Sequence, residues 1–330
     1  MRPLSAAAPL ARALRQLVGG DANAGLAAAG IQVEPLPAGR QVLRFAWPEG
    51  RAVVGKFFSA YPPLRAADLS LVREYDNYQQ LPALGLDGGR GLTPRLLGRW
   101  PQGALGLLLE AVPGPDLDGL IHQACRYGNA AALERGLEKL AHLLACFHSR
   151  PAPKQGVAVE PALAYLDKVM GQLQGAGLLT REDCQALTFE RTWWQTIFKD
   201  FSDDQVLVHG DATPTNFLFP NGRAVALDLE RLRFGDRLWD LSWVAGELKN
   251  AWGWRTGNWS GAEAAIGHFF RAYLAVTGLA AGLRERLYRL NPFYMALAEL
   301  RIARNSYHTM DYRRELVAEA RRCLAGGRRW

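Results

Sequence analysis

Polar and apolar residues alternate with a period of two early in the chain, and then with a helical period. Ile31 to Leu36, Gln41 to Trp47 and Ala52 to Phe58 each read as a strand, with Pro37-Ala38-Gly39-Arg40 and Pro48-Glu49-Gly50-Arg51 as the turns between them. A helix is predicted around Leu69 to Leu81, ended by Pro82, and Leu105 to Val112 is a further apolar strand stopped by Pro113-Gly114-Pro115. Ala131 to His148 then places Leu133, Leu137, Leu140, Leu144 and Phe147 on one helical face. Helix-like patterns continue over 161–200, 240–250, 262–277 and 281–325. Residues 1–30 read as a helical extension with glycine breaks. The pattern implies an α+β fold in two parts. Residues 1–112 form a small antiparallel-sheet lobe with its extension, and 113–330 form a larger, mainly helical lobe.

The densest chemistry lies in LVHGDATPTNFLFPNGRAVALDLE, residues 207–230. Val206 to Val208 read as a short buried strand, and His209 to Thr215 as a loop broken by Gly210 and Pro214. Phe217-Leu218-Phe219 and Ala224 to Leu229 read as strands around Asn221-Gly222, a strong hairpin signal. A two-residue turn there sets Asn216 opposite Leu227, beside Asp228, with Asp211 on the loop feeding that end. Phosphoryl transfer needs one carboxylate to take the acceptor hydroxyl's proton and oxygen ligands to hold Mg²⁺ on the phosphates. Asp211, Asn216 and Asp228 supply that set. A lone Asp is usually a turn or cap residue; three suitable residues in one short stretch are not explained that way.

The stretch resembles the aminoglycoside phosphotransferase and choline kinase group, whose fold is similar to that of protein kinases. His209-Gly210-Asp211 with Asn216 resembles that family's catalytic loop, and Leu227-Asp228-Leu229-Glu230 its second metal-binding segment. The resemblance implies Asp211 as catalytic base and Asn216 and Asp228 as metal ligands. Gly235-Asp236-Arg237-Leu238-Trp239-Asp240-Leu241 resembles the family's G-D-x-x-x-D-L run, in which Asp240 would tether the catalytic loop. It further implies a bilobal kinase-like fold, with ATP and Mg²⁺ as cofactors. The crossing near Glu110 to Pro115 becomes the hinge whose backbone pairs with adenine, which makes Glu110 and Val112 nucleotide contacts.

In the small lobe, alternation puts Lys56 on the same strand face as Val54 and Phe58, an apolar setting in which a cation wants an anionic partner. The family pattern suggests Glu74 on the following helix, and Asp76 is the alternative. The bland readings are a strand-edge lysine reaching solvent and a surface helix carboxylate. No G-x-G-x-x-G is found, and only Leu36-Pro37-Ala38-Gly39-Arg40 lies between the first two strands, which counts against a typical protein kinase. His148, in Leu144-Ala145-Cys146-Phe147-His148, and His209 read as structural supports.

Composition narrows the setting. The chain has 330 residues, 49% hydrophobic and 22% charged, the ordinary balance of a soluble globular protein. No apolar run reaches the ~18 residues of a membrane span. Arg12 and Arg15 break the Ala-rich N-terminus, so a signal peptide is not expected. Cys125, Cys146, Cys184 and Cys323 are scattered, which fits a reducing cytoplasm better than zinc or disulfides. The net charge of +7 comes with no nucleic-acid module. Residues 240–330 hold 14 Lys and Arg against 8 Asp and Glu, which leans away from a polycationic aminoglycoside and toward a neutral or anionic acceptor. Asp203, Asp204, Asp236 and Glu247 could reverse that locally. Among the tryptophans, Trp239 and Trp243 read as core, while Trp252, Trp254 and Trp259 in a Gly-rich stretch are the better acceptor-pocket candidates. The expectation is an ATP- and Mg²⁺-dependent kinase of a small-molecule hydroxyl. A catalytically silent nucleotide-binding scaffold and a kinase of a membrane-linked glycan are the rivals.

Overall fold

The structure, a computed structural model, describes residues 2–3, 31–36, 41–57, 66–86, 91–100, 106–150, 152, 154–278 and 281–328. The chain divides into two compact units, Met1–Gly114 with Val225–Arg231, and Pro115–Ala224 with Leu232–Trp330. Most of the helical extension expected over 1–30, and the turn at Pro37 to Arg40, lie outside the described residues.

The first unit is built on one antiparallel sheet. Its strands are β1 (Arg2–Pro3), β2 (Gln32–Pro35), β3 (Gln41–Ala46), β4 (Ala52–Phe57), β5 (Leu96–Trp100) and β6 (Gly106–Glu110), in the order β1-β2-β3-β4-β6-β5. Strand β5 has neither the alternation of β4 nor the continuous apolar run of β6. A register shift between Leu96 and Gly98 puts a bulge in it, and Leu-Leu-Gly-Arg-Trp carries no alternation. One face of the sheet buries Ile31, Phe45, Trp47, Val53 and Leu108. Gly55 allows this packing, because a Cβ there would come within 2.6 Å of the Phe57 ring. Among the described residues of this unit the long helix is α1 (Ala66–Gln80), which buries Leu71, Glu74 and Tyr78, spaced at three and four residues.

The second unit is helical. Helix α2 (Leu117–Tyr127) starts at Asp116, which accepts the Gly119 N–H at 2.8 Å, and stops at Gly128, whose φ of 69° ends it in the left-handed region. There follow α3 (Ala130–His148), α4 (Glu160–Gly175) and α5 (Arg181–Ile197), the last opened by a capping box of Thr180 and Asp183. Then come α6 (Leu238–Thr256), α7 (Glu263–Thr277), α8 (Ala281–Ala303) and α9 (Met310–Gly327). The core is rich in rings; Trp194, Trp243, Tyr273, Tyr294, Phe147, Phe269 and Phe293 are all buried. Strand β7 (Val206–Val208) pairs antiparallel with Arg233–Gly235, a strand too short to leave a signal in the sequence.

Under the start of α6 lies a buried ionic cluster. Asp236 takes two hydrogen bonds from Arg286, at 2.9 and 2.6 Å, and one from the Tyr294 hydroxyl at 2.7 Å. Arg237 grips Asp203 through two nitrogens at 2.7 and 3.0 Å. Burial opposes the charge on Asp236, but Arg286 and Tyr294 together hold its carboxyl below the ordinary range. Asp236→Ala leaves Arg286 in the core with the more distant Asp203, 3.5 Å away, and is expected to cost about 3 kcal/mol, read as a lower urea midpoint. A depressed folded pKa gives stability that is present above the unfolded value, about 3.9, and lost as pH falls through the folded one. The drop in midpoint on acidification should therefore be smaller in Asp236→Asn than in the wild type. A midpoint unchanged in both variants would overturn this account.

Candidate active site

In the first unit, three ionisable side chains converge. Lys56 donates to Glu74 at 2.6 Å and to Asp228 at 3.1 Å. Glu74 is fully buried, and the Lys56 side chain is 12% exposed. Burial alone would depress the Lys56 ammonium, but the two carboxylates outweigh it and raise the group above its ordinary value. Lys56 is therefore a fixed cation at neutral pH. Asp76, the alternative partner, points to solvent.

Asp228 sits where the backbone is unusual. Its φ is 56°, and apart from it only Asn221 among the described non-glycine residues has a positive φ. That conformation costs an L-residue about 1–2 kcal/mol and clusters at functional sites. It also explains why the strand expected to run to Leu229 stops at Val225–Ala226 and gives way to a turn over Leu229–Arg231. The segment is pinned to its unit by Ala226 N–H on the Leu92 carbonyl, 2.9 Å, and by the Asn77 amide on the Leu229 carbonyl, 2.7 Å.

In the second unit the loop after β7 hangs from Asp240. This carboxylate, fully buried near the N-terminus of α6, accepts the N–H groups of His209 at 2.7 Å and Gly210 at 2.9 Å. His148 at the end of α3 meets the oxygen that also accepts the His209 N–H, at 3.1 Å, and is itself held by the Tyr273 hydroxyl at 2.7 Å. Burial works against the Asp240 charge, but His148 and the Gly210 N–H keep its carboxyl below the ordinary range. Gly210 has a φ of 78°, which a side chain resists. His209 is buried against the Phe217 ring and accepts the Asp211 N–H at 3.3 Å. The Asn216 amide donates to the Asp211 carbonyl at 2.9 Å. That bond uses the amide nitrogen and fixes the orientation of the carbonyl oxygen, the atom a hard cation would take. Downstream, Arg223 N–H closes a turn on the Pro220 carbonyl at 3.1 Å, with φ of 42° at Asn221 and 84° at Gly222, the hairpin turn the sequence signals.

Beside Asp211 lies a paired set of charges. Arg301, from α8, lies 3.8 Å from the Asp211 carboxylate, hydrogen-bonds Glu247 of α6, and stacks 5.2 Å from the Trp243 ring centre. Burial pushes the Glu247 carboxyl up, and Asp211 and Asp118 add to this against the pull of Arg301. Arg255 holds Asp118 through both oxygens at 2.7 and 2.8 Å. Local sequence gives no sign of Arg301 or Arg255, because each reaches its partner across a fold-level distance. Of the four acidic residues that might have gathered against the basic field, Asp203 and Asp236 are spent on Arg237 and Arg286, and Asp204 is exposed. Glu247 alone stands beside Asp211, already paired.

The model of the phosphotransferase enzyme family matches residues 31–286, most of the chain. The chain belongs to that family. As a member it is a phosphotransferase, and its α+β architecture is that of the protein-kinase-like members. The solved structure of the aminoglycoside phosphotransferase APH(2'')-Ib, ADP-bound, superposes with a TM-score of 0.58 at 15% identity, covering 97% of this chain and 99% of that one. Choline kinase LicA from Streptococcus pneumoniae gives 0.57 at 15% identity over 96% and 98%. A Plasmodium vivax ethanolamine kinase gives 0.58 at 12% identity over 93% and 85%. At such identities these likenesses show the fold alone. No curated protein matches the chain by sequence.

Of the residues singled out in the sequence, Lys56, Glu74 and Asp228 come together in the first unit, and Asp211 and Asn216 in the second. Glu110 closes β6, where its N–H meets the Arg95 carbonyl at 3.0 Å, and Val112 follows two residues on. Trp243 is core, and Trp239 stacks on it at 4.9 Å. Trp252 and Trp259 are packed so tightly that Gly261 and Gly253 have no room for a Cβ. Trp254 is the exposed one of that group.

Proposed function

We propose that the chain is an ATP- and Mg²⁺-dependent kinase of a hydroxyl group on a small molecule that is not a polycation. The observation that carries this is Lys56 held between Glu74 and Asp228. A buried ammonium with a buried carboxylate behind it and a second, solvent-reaching one before it is suited to grip phosphate oxygens. The donor chemistry fits Mg²⁺, since a carboxylate oxygen at Asp228 and an amide oxygen at Asn216 are the hard ligands this ion takes. When bound, the ion would neutralise charge on the phosphates. Lys56 binds the α/β phosphates and Glu74 fixes its position. The Glu110 carbonyl and the Val112 backbone face adenine. Asp211 orients the acceptor hydroxyl and takes its proton as the oxygen attacks. Glu230 adds to the metal or acceptor side. No described helix is long and apolar enough to cross a membrane.

The test is ADP release with Mg²⁺ across a panel of sugars, amino alcohols, amino acids and aminoglycosides. ATP binding without turnover on any acceptor would favour the silent-scaffold reading. Aminoglycosides are expected to be poor acceptors. A polycation is repelled by a basic lobe over roughly a Debye length of ~8 Å, and Glu247 and Asp118 are already matched by guanidinium groups. A kanamycin-type kcat/KM of ~10⁴ M⁻¹s⁻¹ or above, the ordinary enzymatic range, would sink this acceptor assignment.

A further inference from the structure

The face of α6 that carries Glu247 continues past Asp211. Trp254 follows seven residues later, two helical turns on, so it shares that face about 10 Å further along the axis. It is 53% exposed, an unusual state for a ring of this size. Trp254 begins a row of aromatic rings. Its ring meets Tyr312 at 4.7 Å and His308 at 5.2 Å, both edge-on, and Tyr307, 78% exposed, lies 4.3 Å from His308. The row is anchored from below. Trp259 stacks on Tyr312 with planes 14° apart, and the Tyr312 hydroxyl donates to the Asn250 side chain at 2.8 Å. Burial, helped by Arg313, holds the His308 imidazole below its ordinary value, so it is a neutral ring at pH 7.

Along the same helix, α6 contributes one member to each of two matched pairs, Glu247 with Arg301 of α8 and Arg255 with Asp118 of α2. Along α6, paired charges near Asp211 are thus followed by an exposed aromatic face. Paired charges offer hydrogen-bond donors and acceptors with little net field, which suits hydroxyl groups. Exposed rings suit the C–H faces of a sugar. A quaternary ammonium would want uncompensated carboxylates around the rings; here the charges are mixed, with Glu299, Glu315 and Glu247 acting on Tyr312 against Arg255, and Arg313 acting on His308.

We propose that Trp254, Tyr307 and His308 form a distal acceptor subsite. It takes the second ring of an oligosaccharide or glycoside whose first ring offers its hydroxyl to Asp211. The near end rests on the kinase reading above; the aromatic subsite stands on its own geometry. Because it is a binding claim, it can be tested without turnover. The full chain is titrated calorimetrically with maltose, cellobiose, lactose and chitobiose, and with their monosaccharides, up to ~10 mM. At least one disaccharide is expected to bind ~10-fold or more tighter than its monosaccharide. Trp254→Ala and Tyr307→Ala should each erase that advantage and leave the monosaccharide unchanged. Both side chains are exposed, so folding is preserved, and an unshifted melting curve checks it.

The proposal is overturned if no disaccharide gains over its monosaccharide, or if the gain survives both variants. It is also overturned if choline chloride competes in a Trp254-dependent way. Trp254-dependent disaccharide binding without ADP release from any acceptor would leave the subsite standing and remove the kinase reading. ADP release indifferent to Trp254, with no disaccharide advantage, would do the reverse.

Discussion

Asp211→Asn is expected to lower phosphoryl transfer by ~10²–10⁴-fold while leaving the affinity for ATP nearly unchanged. Asp211 is the only carboxylate between His209 and Asn216. The loop that carries it is fixed by two backbone N–H bonds to the buried Asp240 and by the Asn216 amide on its own carbonyl. None of these bonds uses the Asp211 side chain. The substitution therefore removes a proton acceptor and leaves the loop's own support in place. Lys56 and Glu74 belong to the other unit and do not depend on it. The clean signature is a fall in kcat with ATP affinity preserved, measured by ADP release and by nucleotide titration. Normal turnover by the variant would remove Asp211 from the base role. Arg301 complicates the reading in a useful way. Its guanidinium lies 3.8 Å from Asp211, and an amide in place of the carboxylate weakens that attraction. The control is Asp211→Glu, which keeps the charge and misplaces it.

The sequence showed the chemistry more clearly than the topology. Asp211, Asn216 and Asp228 stand out because phosphoryl transfer needs oxygen atoms in a short stretch broken by glycine and a hairpin turn, and those constraints are local. Lys56 is legible for the same reason, as a cation on an apolar strand face. Its partner was open between Glu74 and Asp76. The choice depends on which side of α1 faces the sheet, and burial of Glu74 with Leu71 and Tyr78 decides it. Strand β5 was hidden by its bulge, and the strand Arg233–Gly235 by its length. Helix α2 went unmarked because its signals are an Asp cap and a closing glycine rather than a long apolar stripe. The patterns over 161–200 and 281–325 each split into two helices. Gly177, with a φ of 68°, and the turn at Asn305 make the breaks. Arg301, Arg255 and the aromatic row had no local signature. Each gains meaning only when α6, α8 and α9 lie side by side.

Asp228 gives the sharpest test of the metal assignment, because its backbone restricts which substitution is informative. At a φ of 56°, alanine adds strain to the loss of the carboxylate, so Asp228→Ala would mix a folding effect with a binding effect. Asparagine tolerates the left-handed region. Asp228→Asn therefore keeps the turn and removes one negative charge from beside Lys56, 3.1 Å away. That change frees Lys56 from one of its two carboxylates, so Mg²⁺-free ATP should bind as well as before or slightly better. The Mg²⁺-dependent gain in affinity should shrink by ~10-fold or more, which is at least 1.4 kcal/mol. Asn216→Ala should reduce the same gain by less, since a neutral amide oxygen is a weaker ligand than a carboxylate. Titrating each variant with ATP, with and without Mg²⁺, separates the two effects. A general loss of affinity in both conditions would mean that Asp228 serves the fold. An unchanged Mg²⁺ gain in both variants would place the metal elsewhere in the molecule.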